Sequence, residues 1–130
     1  MADCSGATAT VYLGAGSQIP QRAVYPLATN HQAGKLHRPY HQAVGSFDRE
    51  RFLTNRLLDQ RETAESLTSH FLSPPLYASR FKQGFGTLYT ARYNCEARTL
   101  TLFWPRQTKV FFLDHIGNQP FFVDLRPLGA

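Results

Sequence analysis

Apolar and polar residues alternate with a period of two from Phe85 to Tyr93. Phe85, Thr87, Tyr89, Ala91 and Tyr93 share one face, and Gly86, Leu88, Thr90 and Arg92 share the other. After a polar break at Asn94–Arg98 the alternation resumes. Leu100, Leu102 and Trp104 then lie on one face and Thr99, Thr101 and Phe103 on the other. Such alternation in β-branched and aromatic residues predicts half-buried strands, and the short polar break makes them an antiparallel hairpin. A third apolar run, Val110–Leu113, extends the hairpin into a meander. Upstream, Ala7–Leu13 and Ala23–Ala28 read as two short strands joined by the turn-rich GAGSQIPQ, and residues 32–45 as a loop.

From Ser46 the period changes to that of a helix. Ser46 or Asp48 can cap it, and Phe52, Leu53, Leu57 and Leu58 form one stripe ending near Gln60. A second, shorter helix is expected over Thr63–Leu72, with Leu67 and Phe71 one turn apart and Pro74–Pro75 stopping it. Leu76–Gln83 reads as a loop, and Phe121–Leu125 as an edge strand. The order β-β-α-α-β-β-β predicts an α+β fold with an antiparallel sheet, in one domain spanning residues 1–130.

The length of 130 residues supports a single core, and 42% hydrophobic with 18% charged residues is a globular composition. No apolar run is long enough for a membrane span, and MADCSGATAT lacks the basic and apolar parts of a signal peptide. A cytoplasmic protein without a membrane partner is the expectation. The net charge of +5 favours anions in general terms. The basic residues are scattered from Arg22 to Arg126, however, without the glycine–aromatic motif of an RNA-binding sheet. Nucleic acid is therefore not the expected partner.

Candidate chemistry is sparse. His31, His37 and His41 form H-x5-H-x3-H, but glycine and proline interrupt the run and no cysteine or carboxylate completes a ligand set. No metal and no cofactor are expected. Cys4 has no neighbouring base and Cys95 sits in a turn, so each reads as an ordinary thiol. The GFG at Gly84–Gly86 leads into a strand rather than a phosphate-cradling helix. Two polar residues stand at element ends. Asn30, where a strand stops, is a neutral donor of the kind that stabilises an oxyanion, or else closes a turn. Arg49, at a helix start, either projects a permanent charge into a site, where it favours a thiolate, or is simply solvated.

Four segments together resemble the carboxy-terminal part of a known group. They are ADCSGATATVYL, PLATNHQ, SFDRERF and GFGTLYTARYNCEARTLTLFWP, with LSPPLY ahead of the last. In this order they are similar to the choloylglycine hydrolase, penicillin V acylase and acyl-CoA:6-aminopenicillanate acyltransferase group of N-terminal-nucleophile hydrolases, over roughly residues 2–105. The resemblance implies a four-layer αββα sandwich and cleavage or acyl transfer at linear amide bonds by an amino-terminal cysteine. It matches Asn30 to the oxyanion donor and Arg49 to the arginine beside the nucleophile.

The nucleophile itself belongs to the group's amino-terminal half, and ADCSG around Cys4 matches a mid-chain segment instead. The expectation is thus a carboxy-terminal portion of an amide hydrolase or acyltransferase, inactive alone, whose small-molecule amide or acyl substrate needs the missing half. Two alternatives stand beside it. One is a subunit of a split acylase, completed in trans by a separately encoded chain that bears the nucleophile. The other is a small non-catalytic binding domain with a basic surface. In the truncated chain, strand edges bared by the missing half would favour self-association, whereas an independent small domain would be a soluble monomer.

Overall fold

The computed structural model describes residues 11–12, 19–30 and 45–126. The chain mixes helix and strand, with two helices and a three-stranded antiparallel sheet among the described residues, compatible with an α+β class. It divides into two compact units, Met1–Glu62 and Thr63–Ala130.

In the first unit, β1 (Val11–Tyr12) pairs antiparallel with β2 (Gln21–Arg22), with Val11 opposite Arg22 and Tyr12 opposite Gln21. The strand expected at Ala23–Ala28 is displaced toward the amino terminus, and these residues follow β2 as bends and irregular chain. Pro26 gives a physical reason, since it has no N–H for a ladder and fixes its own φ. Of Ala7–Leu13, only Val11–Tyr12 falls within the described residues.

Helix α1 spans Ser46–Leu58. Its N-cap is Gly45, at φ 64°, a left-handed conformation that glycine adopts without steric cost. Ser46 is therefore the first helical residue rather than the cap, and its side chain is fully buried. Leu53 is the buried member of the apolar stripe, whereas Leu57 and Leu58 are exposed. Arg56 lies 5.7 Å from the centre of the Phe52 ring, one turn back, and 3.8 Å from Glu62. The helix ends at Asp59, whose carboxylate accepts from the backbone and side chain of Arg61. Those bonds lower its pKa.

The second unit opens with α2 (Ala64–His70), capped by Thr63. The Ser66 N–H donates to Thr63 Oγ1 at 3.1 Å and the Thr63 N–H donates to Ser66 Oγ at 2.9 Å, a capping box closed by serine in place of the usual Glu or Gln. The sheet follows, in the order β3 (Thr90–Asn94), β4 (Thr99–Trp104), β5 (Gln107–Phe112). Tyr93 pairs with Leu100, Ala91 with Leu102, Leu100 with Phe111 and Trp104 with Gln107. Arg98, at φ 52°, and the Asn94 side chain, which accepts from the Ala97 N–H, shape the turn between β3 and β4.

The register sorts the sheet's two faces. Thr90, Arg92, Thr101 and Phe103 share the face that meets α2. There Thr90 Oγ1 donates to the Phe71 carbonyl at 3.2 Å and Arg92 lies 3.5 Å from Glu65. Leu100, Leu102, Trp104 and Phe111 share the other face, covered by the carboxy-terminal segment. The Phe121 ring stands edge-on to Trp104 at 5.9 Å and tilted against Phe111. Leu76, Tyr77 and Trp104 are the buried apolar residues of this unit. A residue on each side of β4, Thr101 and Trp104, is thus buried.

Of the strand expected over Phe85–Tyr93 only the part from Thr90 is a strand, as β3, and the one expected over Phe121–Leu125 is not a strand. Phe85–Tyr89 alternates like one, but its backbone is committed to the preceding loop. The Phe85 N–H donates to Arg80 O and the Thr87 N–H to Ala78 O, while Thr87 Oγ1 accepts from the Ala78 N–H. The pattern over Phe121–Leu125 reflects contact with the sheet face rather than pairing at its edge. Tyr77 Oη donates to the Leu125 carbonyl at 3.2 Å, and Phe121 fills space against Trp104.

The loop before the sheet is closed by a short 3-10 turn, Phe81–Gln83, ending at Gly84 with φ 74°. The Phe81 ring lies against Gly86, where any β-carbon would overlap it. Gly86→Ala is therefore expected to displace the ring and lower stability by about 1–3 kcal/mol, the usual cost of overpacking. A thermal melt checks this. Phe81→Ala/Gly86→Ala should be closer in stability to Phe81→Ala alone than Gly86→Ala is to the unsubstituted chain.

Candidate functional site

Asn30 lies in a bend after β2, with its side chain exposed. Arg49 stands in the first turn of α1, its backbone N–H donating to the Gly45 carbonyl at 3.1 Å. Both belong to the first unit, on either side of residues 31–44. Their environments differ sharply. Asn30 presents an amide to solvent. Arg49 is half-buried, and its Nε and Nη2 are shielded without a hydrogen-bond partner among the described residues. A guanidinium carries five donors and stays charged, so shielding it unpaired is costly. An anion placed against it would recover that cost, which is what a thiolate or a carboxylate-bearing substrate offers.

Arg56, two turns further along α1, also has a shielded Nε without a partner. Its position over Phe52 and beside Glu62 accounts for it as a structural side chain. Arg49 makes neither kind of contact among the described residues.

His31, His37, His41 and Cys4 lie outside the described residues. Cys95 sits exposed in the β3–β4 turn. Among the described residues no group of three or more His, Cys, Asp or Glu side chains could hold a metal ion. No helix among them is long and apolar enough to cross a membrane.

The second unit carries a feature that the alternation pattern hid. Ser79, Arg80, Phe81, Lys82 and Gln83 line an open groove together with Leu125 and Arg126. The lining holds three cations and no acid. Arg80 is held over the Phe85 ring at 5.0 Å. Arg126 donates from Nε to Asp124 Oδ1 at 2.9 Å and from Nη2 to Oδ2 at 2.7 Å. These bonds hold the Asp124 carboxyl down at about 2, with Arg106 contributing at longer range. Burial, and secondarily the Asp124 charge, push the Tyr77 phenol up. The run R-F-K-Q-G-F was visible in the sequence, but nothing there indicated that Leu125 and Arg126 would return to it. No family model, curated protein or solved structure matches the chain.

Proposed function

We propose that this chain supplies the oxyanion donor and the electrostatic support for a linear-amide hydrolase or acyltransferase of the choloylglycine hydrolase and penicillin acyltransferase type. The observation that carries this reading is the shielded, unpaired guanidinium of Arg49 at the start of α1.

The chemistry follows from the residue types. A cysteine thiolate attacks the amide carbonyl, and the negative charge that develops on the carbonyl oxygen is met by the Asn30 side-chain N–H. The proton passes through the nucleophile's own α-amino group to the leaving amine. Water or an incoming amine then takes the acyl group from the thioester. Arg49 favours the thiolate over the thiol. The cysteine comes from an amino-terminal half not contained in these 130 residues, joined or separate. The exposed Tyr93, Val110 and Phe112 on the outer strands β3 and β5 offer apolar area for contact with another chain.

The purified chain alone is expected to leave penicillin V, conjugated bile salts and acyl-homoserine lactones intact. The test is to read the genome upstream of Met1 for a cysteine-bearing half, co-express it, and assay the pair. Activity from the pair supports the reading. Turnover by the chain alone that survives Cys4→Ala and Cys95→Ala would sink it. In an active pair, Arg49→Ala should move the acidic limb of the pH–rate profile upward. The sign follows because removing a cation raises the thiol pKa, so more alkaline conditions are needed for the same thiolate fraction. Arg49→Lys keeps the positive charge and should leave the limb close to its original position.

A further inference from the structure

The groove between Ser79–Gln83 and Leu125–Arg126 has a volume of about 520 Å³, within the range of roughly 300–1,000 Å³ typical of small-molecule sites. We propose that it binds a small aromatic carboxylate, with Arg126 and Lys82 holding the carboxylate and Phe81 and Leu125 facing the apolar body. The groove lies wholly within residues 63–130, so this holds whether or not Asn30 and Arg49 serve an amide-cleaving site.

The first ground is charge. Arg80, Lys82 and Arg126 line the groove without an acidic residue among them. Asp124 offsets one of these charges through its pair with Arg126. Arg80 is committed to the Phe85 ring, whereas Lys82 has no ion pair among the described residues. An excess of positive charge therefore remains at the mouth.

The second ground is that the groove's own wall already shows the chemistry. Arg126 grips the two oxygens of Asp124 through Nε and Nη2 in the planar fork that suits a carboxylate. Its Nη1 group has no partner among the described residues. A second carboxylate can approach that side of the guanidinium with Lys82 as the other cation. The apolar members of the lining, Phe81 and Leu125, select a ligand with a ring over a bare inorganic anion.

The third ground is that the loop is a built structure. Its neck is tied by the Thr87 N–H to Ala78 O bond at 2.7 Å and by the Ala78 N–H to Thr87 Oγ1 bond at 3.0 Å. Gly84 closes the 3-10 turn, and the Phe81 ring is seated on Gly86. Opposite it, the Tyr77 hydroxyl holds the Leu125 carbonyl. Both walls are thus fixed before a ligand arrives, which reduces the ordering cost of binding.

The test is an NMR titration of the isotope-labelled full chain with 2-naphthoate, with 2-naphthamide and inorganic phosphate as controls. Saturable shifts are expected at the amides of residues 80–84 and at Arg126, with either control at least tenfold weaker. Lys82→Gln should weaken naphthoate binding several-fold. Asp124→Asn should tighten it, because Arg126 loses its internal competitor. Equal binding of naphthoate and naphthamide would overturn the proposal, as would phosphate binding as tightly as naphthoate. Shifts spread over the exposed sheet edges would overturn it too. Should Asp124→Asn disturb the carboxy-terminal segment, Lys82→Gln still decides, since Lys82 is exposed and unchanged affinity there rejects the assignment.

Discussion

Replacement of Trp104 by alanine should cost about 3–5 kcal/mol, the usual range for deleting a large buried aromatic side chain. Trp104 is only 4% exposed, ends the central strand β4, and donates from Nε1 to the Leu88 carbonyl at 2.7 Å. It also receives the edge of Phe121. Alanine would therefore open a cavity, strand the Leu88 carbonyl and release the carboxy-terminal segment from the sheet. For a unit of this size each kcal/mol moves the melting temperature by roughly 4–8 °C, so the loss should exceed about 12 °C. Circular dichroism in the β-sheet band measures it. Trp104→Phe keeps most of the ring and loses the hydrogen bond, so it should cost less than alanine and at least about 1 kcal/mol. A melting temperature unchanged in Trp104→Ala would mean that the Phe121 contact and the Leu88 bond do not organise this unit.

The elements that follow from short-range pattern were legible in the sequence, and those that depend on distant partners were not. Helix α1 is read from its stripe, and α2 from Thr63 and the proline pair that follows. Strand β4 and the turn before it are read from alternation and from the polar residues 94–98. At Phe85–Tyr89 the same alternation misleads. A strand needs a neighbour's backbone, and here the N–H groups of Phe85 and Thr87 are taken by Arg80 and Ala78 instead. No periodicity in residues 85–93 records that competition. At Phe121–Leu125 the error is similar, since apolar alternation fits a segment lying on a sheet as well as one paired at its edge.

The candidate site divides along the same line. Arg49 was legible as a helix-start cation because the helix itself was legible. Its shielding was not, since the partners a guanidinium lacks are a property of the packed structure. Asn30 was singled out as the end of a strand over Ala23–Ala28, but the strand is Gln21–Arg22 and ends well before Asn30, which lies in a bend. The bend that holds Asn30 keeps its amide exposed all the same. The groove was invisible for a topological reason. It joins residues 79–83 to residues 125–126, and only the meander between them brings these stretches together.

In an enzyme completed by its cysteine-bearing half, Asn30→Ala should lower kcat by about a hundredfold or more, with KM much less affected. The scale is that of removing one preorganised oxyanion donor, roughly 2.7–4 kcal/mol of transition-state stabilisation. The split between kcat and KM follows from the charge involved. The amide carbonyl of the bound substrate is neutral and gains little from the Asn30 N–H. The tetrahedral intermediate carries a full negative charge on that oxygen and gains much more, so the interaction is made mainly in the transition state. Asn30→Asp should be worse than alanine, because it sets a second negative charge against the oxyanion. Because Asn30 is exposed and in a bend, none of these changes should move the melting temperature by more than a few degrees. Steady-state kinetics on the completed pair, with a thermal melt on each variant, separate the outcomes. A near-normal kcat in Asn30→Ala would assign Thr29–Asn30 to a turn and leave Arg49 as the chain's single contribution to the chemistry. A loss of kcat matched by an equal fall in stability would make the residue structural.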